Sequence, residues 1–193
     1  MTATKKNIIT LPRAELRQRS RKITDINDAV KDIIADMKAA TLDWEKSRQH
    51  EVGVALAAVQ INQLYKIVIV RNNPDDKKDT GFTVFLNPEI TKYEGPVERD
   101  FEGCLSITDV YGKVPRYHKI RVKALDLDGR PFRVTAEGFL ARVLQHEIDH
   151  TNGKVFIDHI KGKRQAFFRL TDKGELEKLD YDKDIKDNSI LWQ

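Results

Sequence analysis

From Val30 the apolar residues Ile33, Ile34, Met37 and Trp44 return at helical spacing, and the pattern predicts an amphipathic helix over residues 25–46 with Thr24 or Asp25 as its cap. Residues 51–60 change texture, being small and apolar and ending in the lone polar Gln60. Residues 66–71 read as a strand, residues 72–81 as an exposed loop around Pro74, and residues 82–90 as a further strand broken at Asn87-Pro88. Gly95-Pro96 and several charges predict a turn or bulge across 91–103. Alternation over 119–127, then Asp128-Gly129, then 131–135, predicts a β-hairpin. A helix starts near Ala136 and stops around Asn152-Gly153. Residues 161–169 are expected to open a last helix, and the mixed-charge tail from Thr171 to be loosely ordered. The segment up to Lys22 is polar and basic, with Leu11-Pro12 and Leu16 as its few anchors.

The helix beginning near Ala136 carries His146-Glu147-Ile148-Asp149-His150, an H-E-x-x-H arrangement. At about 3.6 residues per turn the two imidazoles stand one turn apart on one face, and Glu147 lies about 100° round the axis. Two such imidazoles can share one metal ion, with the glutamate close enough to serve a water bound there. Phe139, Val143, His146 and His150 fall within about 60° of one another, so an apolar wall beside a metal is geometrically reasonable.

Bulk properties narrow the setting. A chain of 193 residues with 40% hydrophobic and 33% charged residues fits one soluble catalytic domain. We expect a core over about 16–170 and a charged tail over 171–193. No apolar run approaches the roughly 20 residues of a membrane span, and residues 1–10 lack a secretory pattern, so a cytoplasmic location is expected. The net charge of +4 is too small to argue for nucleic-acid binding alone. The single cysteine, Cys104, has no internal disulfide partner and is an apolar filler, a nucleophile or a metal ligand.

Catalytic zinc-type sites take three protein ligands. A metzincin would place a histidine at position 156, where this chain has Phe156. A thermolysin-like enzyme would supply a glutamate; Glu175 and Glu177 lie downstream, in a polar segment poorly suited to it. Cys104, within Glu102-Gly103-Cys104-Leu105-Ser106, remains as a soft ligand.

E-G-C-L-S, Q-H-E-I-D-H and G-V-A-L-A-A-V-Q, in this order and spacing, resemble the signature motifs of peptide deformylases. Val110-Tyr111-Gly112, Val114-Pro115-Arg116, the Lys119–Gly129 strand and turn, and Phe156-Ile157-Asp158 extend the resemblance over about residues 16–160. It implies an α+β fold with mixed and antiparallel strands around a central metal-binding helix. It further implies Cys104, His146 and His150 as ligands of one divalent ion, Fe(II) in the cell and Zn(II) or Ni(II) in purified protein. Glu147 would be the general base, and the Leu105 N–H and the Gln60 amide the oxyanion donors. Gly53, Val54, Ala55, Gly103, Phe139 and Val143 would meet the substrate, the N-formylmethionyl end of a nascent polypeptide added by β-augmentation.

Ala55 stands where the family's second glycine is expected, Val59 precedes Gln60, Thr108-Asp109 stands where members often have a proline, and the lead-in 43–50 is longer and more polar, a candidate rim on the groove. An extended backbone at Ala55 would tolerate a methyl group; a left-handed one, or a methyl pointing into the peptide groove, would impair substrate binding. A divergent homologue that keeps the metal but only binds is therefore the alternative, and intact Glu147 and Gln60 argue for the enzyme. The basic residues Lys161, Lys163, Arg164 and Arg169 are a candidate ribosome contact, with a solvated face as the preferred reading. His50, His118 and His159 have no partner pattern and are expected at the surface, and a monomer without membrane association is expected.

Overall fold

A computed structural model describes residues 3–192. Helix α1 spans Asp28–Lys46, capped by the Asn27 side chain, which accepts from the Val30 N–H at 3.2 Å. Strands β1 (Ala55–Ala57), β2 (Ile67–Arg71), β3 (Phe82–Cys104), β4 (Ile107–Leu125) and β5 (Pro131–Glu137) precede helix α2 (Gly138–Thr151). Strands β6 (Phe167–Leu170) and β7 (Leu176–Lys178) and the short helix α3 (Ser189–Trp192) follow. The strands pair antiparallel in one seven-stranded sheet, ordered β1-β2-β3-β4-β6-β7, with β5 against β4. The expected α+β class holds; the parallel component reduces to one isolated bridge, Arg21 with Tyr65.

Period-two patterning decides which helix covers which face. Leu56, Ile67 and Ile69 point into a cluster with Ile34 and Met37 of α1. Their neighbours Ala55, Ala57, Val68 and Val70 point the other way, towards Val143, Leu144 and Ile148 of α2. Strand β2 is thus buried on both faces, which is why it reads as an unbroken apolar run. A third cluster joins β4 and β6 to Phe156, Ile157 and Ile160 and to both chain ends, through Leu11, Leu16, Ile185 and Leu191.

Four expectations are corrected. Asn87-Pro88 does not break the strand, because β3 absorbs it as a register shift with Asn87 at φ 52°, and of the turn or bulge expected over 91–103 it is a bulge-like register shift that occurs, with Gly95 at φ 75°. Residues 136–137 belong to β5, and Gly138 at φ 57° makes the switch into α2. Residues 161–169 form turns and then β6, where the fully buried Phe167 faces inward and Phe168 packs edge-on against Phe101. The tail is ordered: β7 pairs with β6, and the Trp192 indole donates to the Ile185 carbonyl at 2.6 Å.

Gly153 ends α2 at φ 75°, and a Cβ there would lie 2.4 Å from the Arg17 carbonyl oxygen. Left-handed backbone and a closed approach both oppose a side chain. Gly153→Ala is expected to lose about 1–3 kcal/mol of stability in chemical denaturation; an unchanged midpoint would contradict this packing.

Candidate metal centre

Strand β3 and α2 bring the soft and imidazole donors together. Cys104 ends β3, Leu105-Ser106 forms a two-residue connection, and Ile107 pairs back across it. One sulfur atom is thereby fixed at a hairpin tip, facing the buried side of α2. The ligand atoms of Cys104, His146 and His150 all lie within 4.8 Å of one another, with Cys104 Sγ 3.3 Å from His150 Nε2. The two imidazoles meet edge to face at a centroid distance of 4.9 Å.

Of the two imidazoles, His146 has a neighbour that orients it, whereas His150 Nδ1 is buried without a partner. His146 Nδ1 lies 2.9 Å from Glu102 Oε2, which leaves Nε2 to face the cluster. Glu102 is itself held by Arg116, at 2.9 and 3.1 Å, and by Arg142 at 2.8 Å. Arg116 continues to Asp149 at 2.5 Å, and Asp149 to His159 at 2.7 Å. His159 thus has partners, contrary to expectation, and His118 has one in Glu98 at 3.0 Å. His50 packs against Gly174.

Electrostatics follow from this burial. Burial disfavours charge on Glu102, yet the bonds from His146 and Arg116 win and hold its carboxyl well below the usual carboxylate range. Burial likewise opposes a proton on His146, but the Cys104 and Glu102 side chains raise its pKa well above the ordinary value. Burial, then the neighbouring His146, lowers His150 well below it. One sulfur and two imidazole donors at this spacing are the donor set of a soft divalent cation.

Glu147 stands beside the cluster, 5% exposed, with Oε2 buried and without a protein partner. Burial pushes its carboxyl up to about 7, and a divalent cation nearby would pull in the opposite direction. Gln60 is 1% exposed: its Oε1 accepts the Ala57 N–H at 2.8 Å, which turns Nε2 towards Ser106 Oγ at 3.1 Å and Cys104 Sγ at 3.5 Å.

A cavity of about 380 Å³ opens over the donors, and Val54, Ala55, Gln60, Gly103, Leu105, Phe139, Val143 and Glu147 all line it. Gly53 is the exception among the expected residues. A Cβ on it would meet Thr41 Cγ2 at 2.6 Å, so its glycine serves packing against α1 instead of the cavity. Ala55 has no positive φ, and its methyl group joins the α2 cluster. Strand β1 is an edge strand. The Arg71 N–H donates to the Val54 carbonyl at 2.8 Å, so ladder alternation turns the Ala55 N–H and C=O outward.

Trp44 and His50 of the lead-in line the cavity, where a rim on the groove was expected. Sequence reasoning passed over the rest of that wall, which is made by Glu51, by Tyr111, and by Leu170, Gly174 and Leu176 of the β6–β7 hairpin. The Tyr111 hydroxyl bonds to Glu51, and its ring lies where a Cβ on Gly103 would be, 2.5 Å from Cε1. Tyr111 lies seven residues after Cys104, and antiparallel return from the hairpin was the signal that could have placed it there.

Among known proteins, a sequence model described as polypeptide deformylase matches residues 5–166. A peptide deformylase of Thermomicrobium roseum is 42% identical over 161 residues, covering 82% of this chain and 87% of that one. One of Pseudomonas aeruginosa is 38% identical over 154 residues, covering 80% and 86%. The crystal structure of a peptide deformylase from Legionella pneumophila superposes with a TM-score of 0.71 at 36% identity, covering 82% of this chain and 86% of that one.

Proposed function

The chain belongs to the polypeptide deformylase family, and from that premise we propose how its residues hydrolyse the formamide of an N-formylmethionyl polypeptide. The observation that carries the reading is the convergence of Cys104, His146 and His150, with Glu147 beside them, under the cavity edged by β1. Cys104 Sγ and one nitrogen of each histidine hold one divalent ion, Fe(II) in the cell with Zn(II) or Ni(II) able to replace it. When bound, such an ion acidifies a water and polarises a carbonyl.

The remaining work falls to the chain. Glu102 fixes the His146 tautomer, so that the nitrogen facing the ligand set is the unprotonated one. Glu147 takes a proton from the attacking water and returns it to the leaving amine as the formyl C–N bond breaks, releasing formate and a free methionine terminus. Gln60 Nε2 and the Leu105 N–H face the oxygen on which charge develops, each donor worth about 3 kcal/mol in the transition state. The outward N–H and C=O of Ala55 pair with the peptide main chain, while Phe139 and Val143 flank the methionine side chain.

The binding-module alternative rested on Ala55; the absence of a positive φ there and the packing of its methyl group in the α2 cluster support the enzyme reading. Ala55→Gly is expected to change kcat/KM less than about 3-fold and to cost about 0.5–1 kcal/mol of stability; a tenfold gain in kcat/KM would contradict the placement of the methyl group in the core.

The basic segment supports a solvated face. Arg164 pairs with Asp182, Arg169 with Glu177 at 2.7 Å, and Lys161 lies over the Trp192 ring. No described helix is long and apolar enough to cross a membrane, and we place the reaction in the cytoplasm with the protein acting as a monomer. The test is mass spectrometry of formyl-Met-Ala-Ser incubated with anaerobically purified protein. Conversion to Met-Ala-Ser and formate is expected; an intact peptide at full metal occupancy would overturn the reading.

A further inference from the structure

The lead-in to β1 departs from the family pattern, and its anchoring is unusual. Arg71, the last residue of β2, has a side chain with 0% exposure. Its guanidinium donates to Glu45 Oε2 at 2.5 Å, to the Asp79 carbonyl at 2.7 Å and to the Lys77 carbonyl at 2.9 Å. The same Glu45 oxygen accepts the Gly53 N–H at 3.0 Å, and the Arg71 N–H makes the bond to Val54 that opens β1. One buried ion pair thus joins the last turn of α1, the 72–81 loop and the two residues before Ala55. None of these groups touches Cys104, His146 or His150.

We propose that Glu45 and Arg71 are positioning residues for substrate: together they hold the Gly53–Ala55 backbone at the depth where its edge meets an extended peptide. This rests on the deformylase reading and adds to it a device built from this chain's own lead-in. Gly53 is pressed on Thr41 from one side, and the pair fixes it from the other. Strand β1 itself is held by its ladder to β2 and by the two helix clusters, whereas the Gly53 backbone just before it is held by the Glu45 carboxylate. Main-chain pairing supplies the affinity of an added strand, so a displaced edge weakens binding while the metal centre keeps its geometry.

The test compares holoenzyme variants by KM for formyl-Met-Ala-Ser, by calorimetric Kd for the product Met-Ala-Ser, and by the visible spectrum of the Co(II)-loaded protein. Glu45→Leu with Arg71→Met removes both charges at similar volume, a change that buried pairs often tolerate. It is expected to raise KM and Kd about 10-fold or more, with an unchanged Co(II) spectrum and kcat within about 3-fold. Glu45→Gln keeps an acceptor for Gly53, so its KM and Kd are expected to stay near wild type even though a neutral partner for the buried Arg71 lowers stability. Arg71→Lys, which loses the two carbonyl contacts, is the reserve should the double variant not fold, with a smaller rise in the same two constants. Wild-type KM and Kd in the folded variant, or an altered Co(II) spectrum, would overturn the proposal. Failure of the wild type to deformylate the peptide would instead strike the underlying reading.

Discussion

Glu147→Gln is expected to lower formate release from formyl-Met-Ala-Ser by about 100- to 10,000-fold, the usual contribution of a general acid–base group, with metal content unchanged. The side chain makes no bond that the fold needs: Oε2 is buried without a partner, and the carboxyl is raised to about 7 by its dry surroundings. Glutamine has the same shape, so packing against α2's neighbours survives. What disappears is the ability to accept a proton. Parallel determination of metal and turnover checks it. Activity within a few-fold of wild type would remove Glu147 from the mechanism, and loss of metal would show it acting as a ligand.

Glu102→Gln is expected to be the most damaging change outside the ligands themselves. Glu102 is 6% exposed and receives Arg116, Arg142 and His146. Among the described residues, Asp149 is the one other carboxylate paired with these guanidinium groups. Leaving a buried charge without its partner typically costs about 3–5 kcal/mol, and losing the group that orients a ligand histidine about 10- to 100-fold in metal affinity. Denaturation of the apo form separates the first effect from the second. Since the folded pKa of Glu102 lies below the unfolded value, its stabilisation is fully present above the ordinary carboxylate range and fades as pH falls towards the folded value. The variant should therefore show a flatter stability profile in acid than wild type. Equal stability of the two proteins at neutral pH would contradict the role of this hub.

The helix carrying both histidines was legible because H-E-x-x-H has one helical meaning, and the apolar run 67–70 because a strand buried on both faces cannot alternate. Over residues 91–103 the sequence offered a turn or a bulge without deciding between them, because Gly95-Pro96 marks a turn locally, whereas thirteen ladder pairs in β3–β4 carry the strand through and leave a register shift there. The segment 161–169 failed for a related reason: its charges suggested a helix surface, and only the partner strand β4 makes Phe167 an inward residue. Gly53 was assigned to substrate by motif, although its need for glycine comes from Thr41, twelve positions away on α1 and in no periodic relation to β1. The Glu102 hub and the Glu45–Arg71 pair were invisible for the same cause. Ion pairs between separate elements leave no periodic trace, so only the fold discloses them.

The most direct measurement is titration of metal-free protein with Fe(II) under anaerobic conditions, following formate release from formyl-Met-Ala-Ser, beside Cys104→Ala. The account predicts activity that rises in proportion to added metal, saturates at about one equivalent and is absent from the variant. Full activity of the metal-free protein, or undiminished activity in Cys104→Ala, would contradict it.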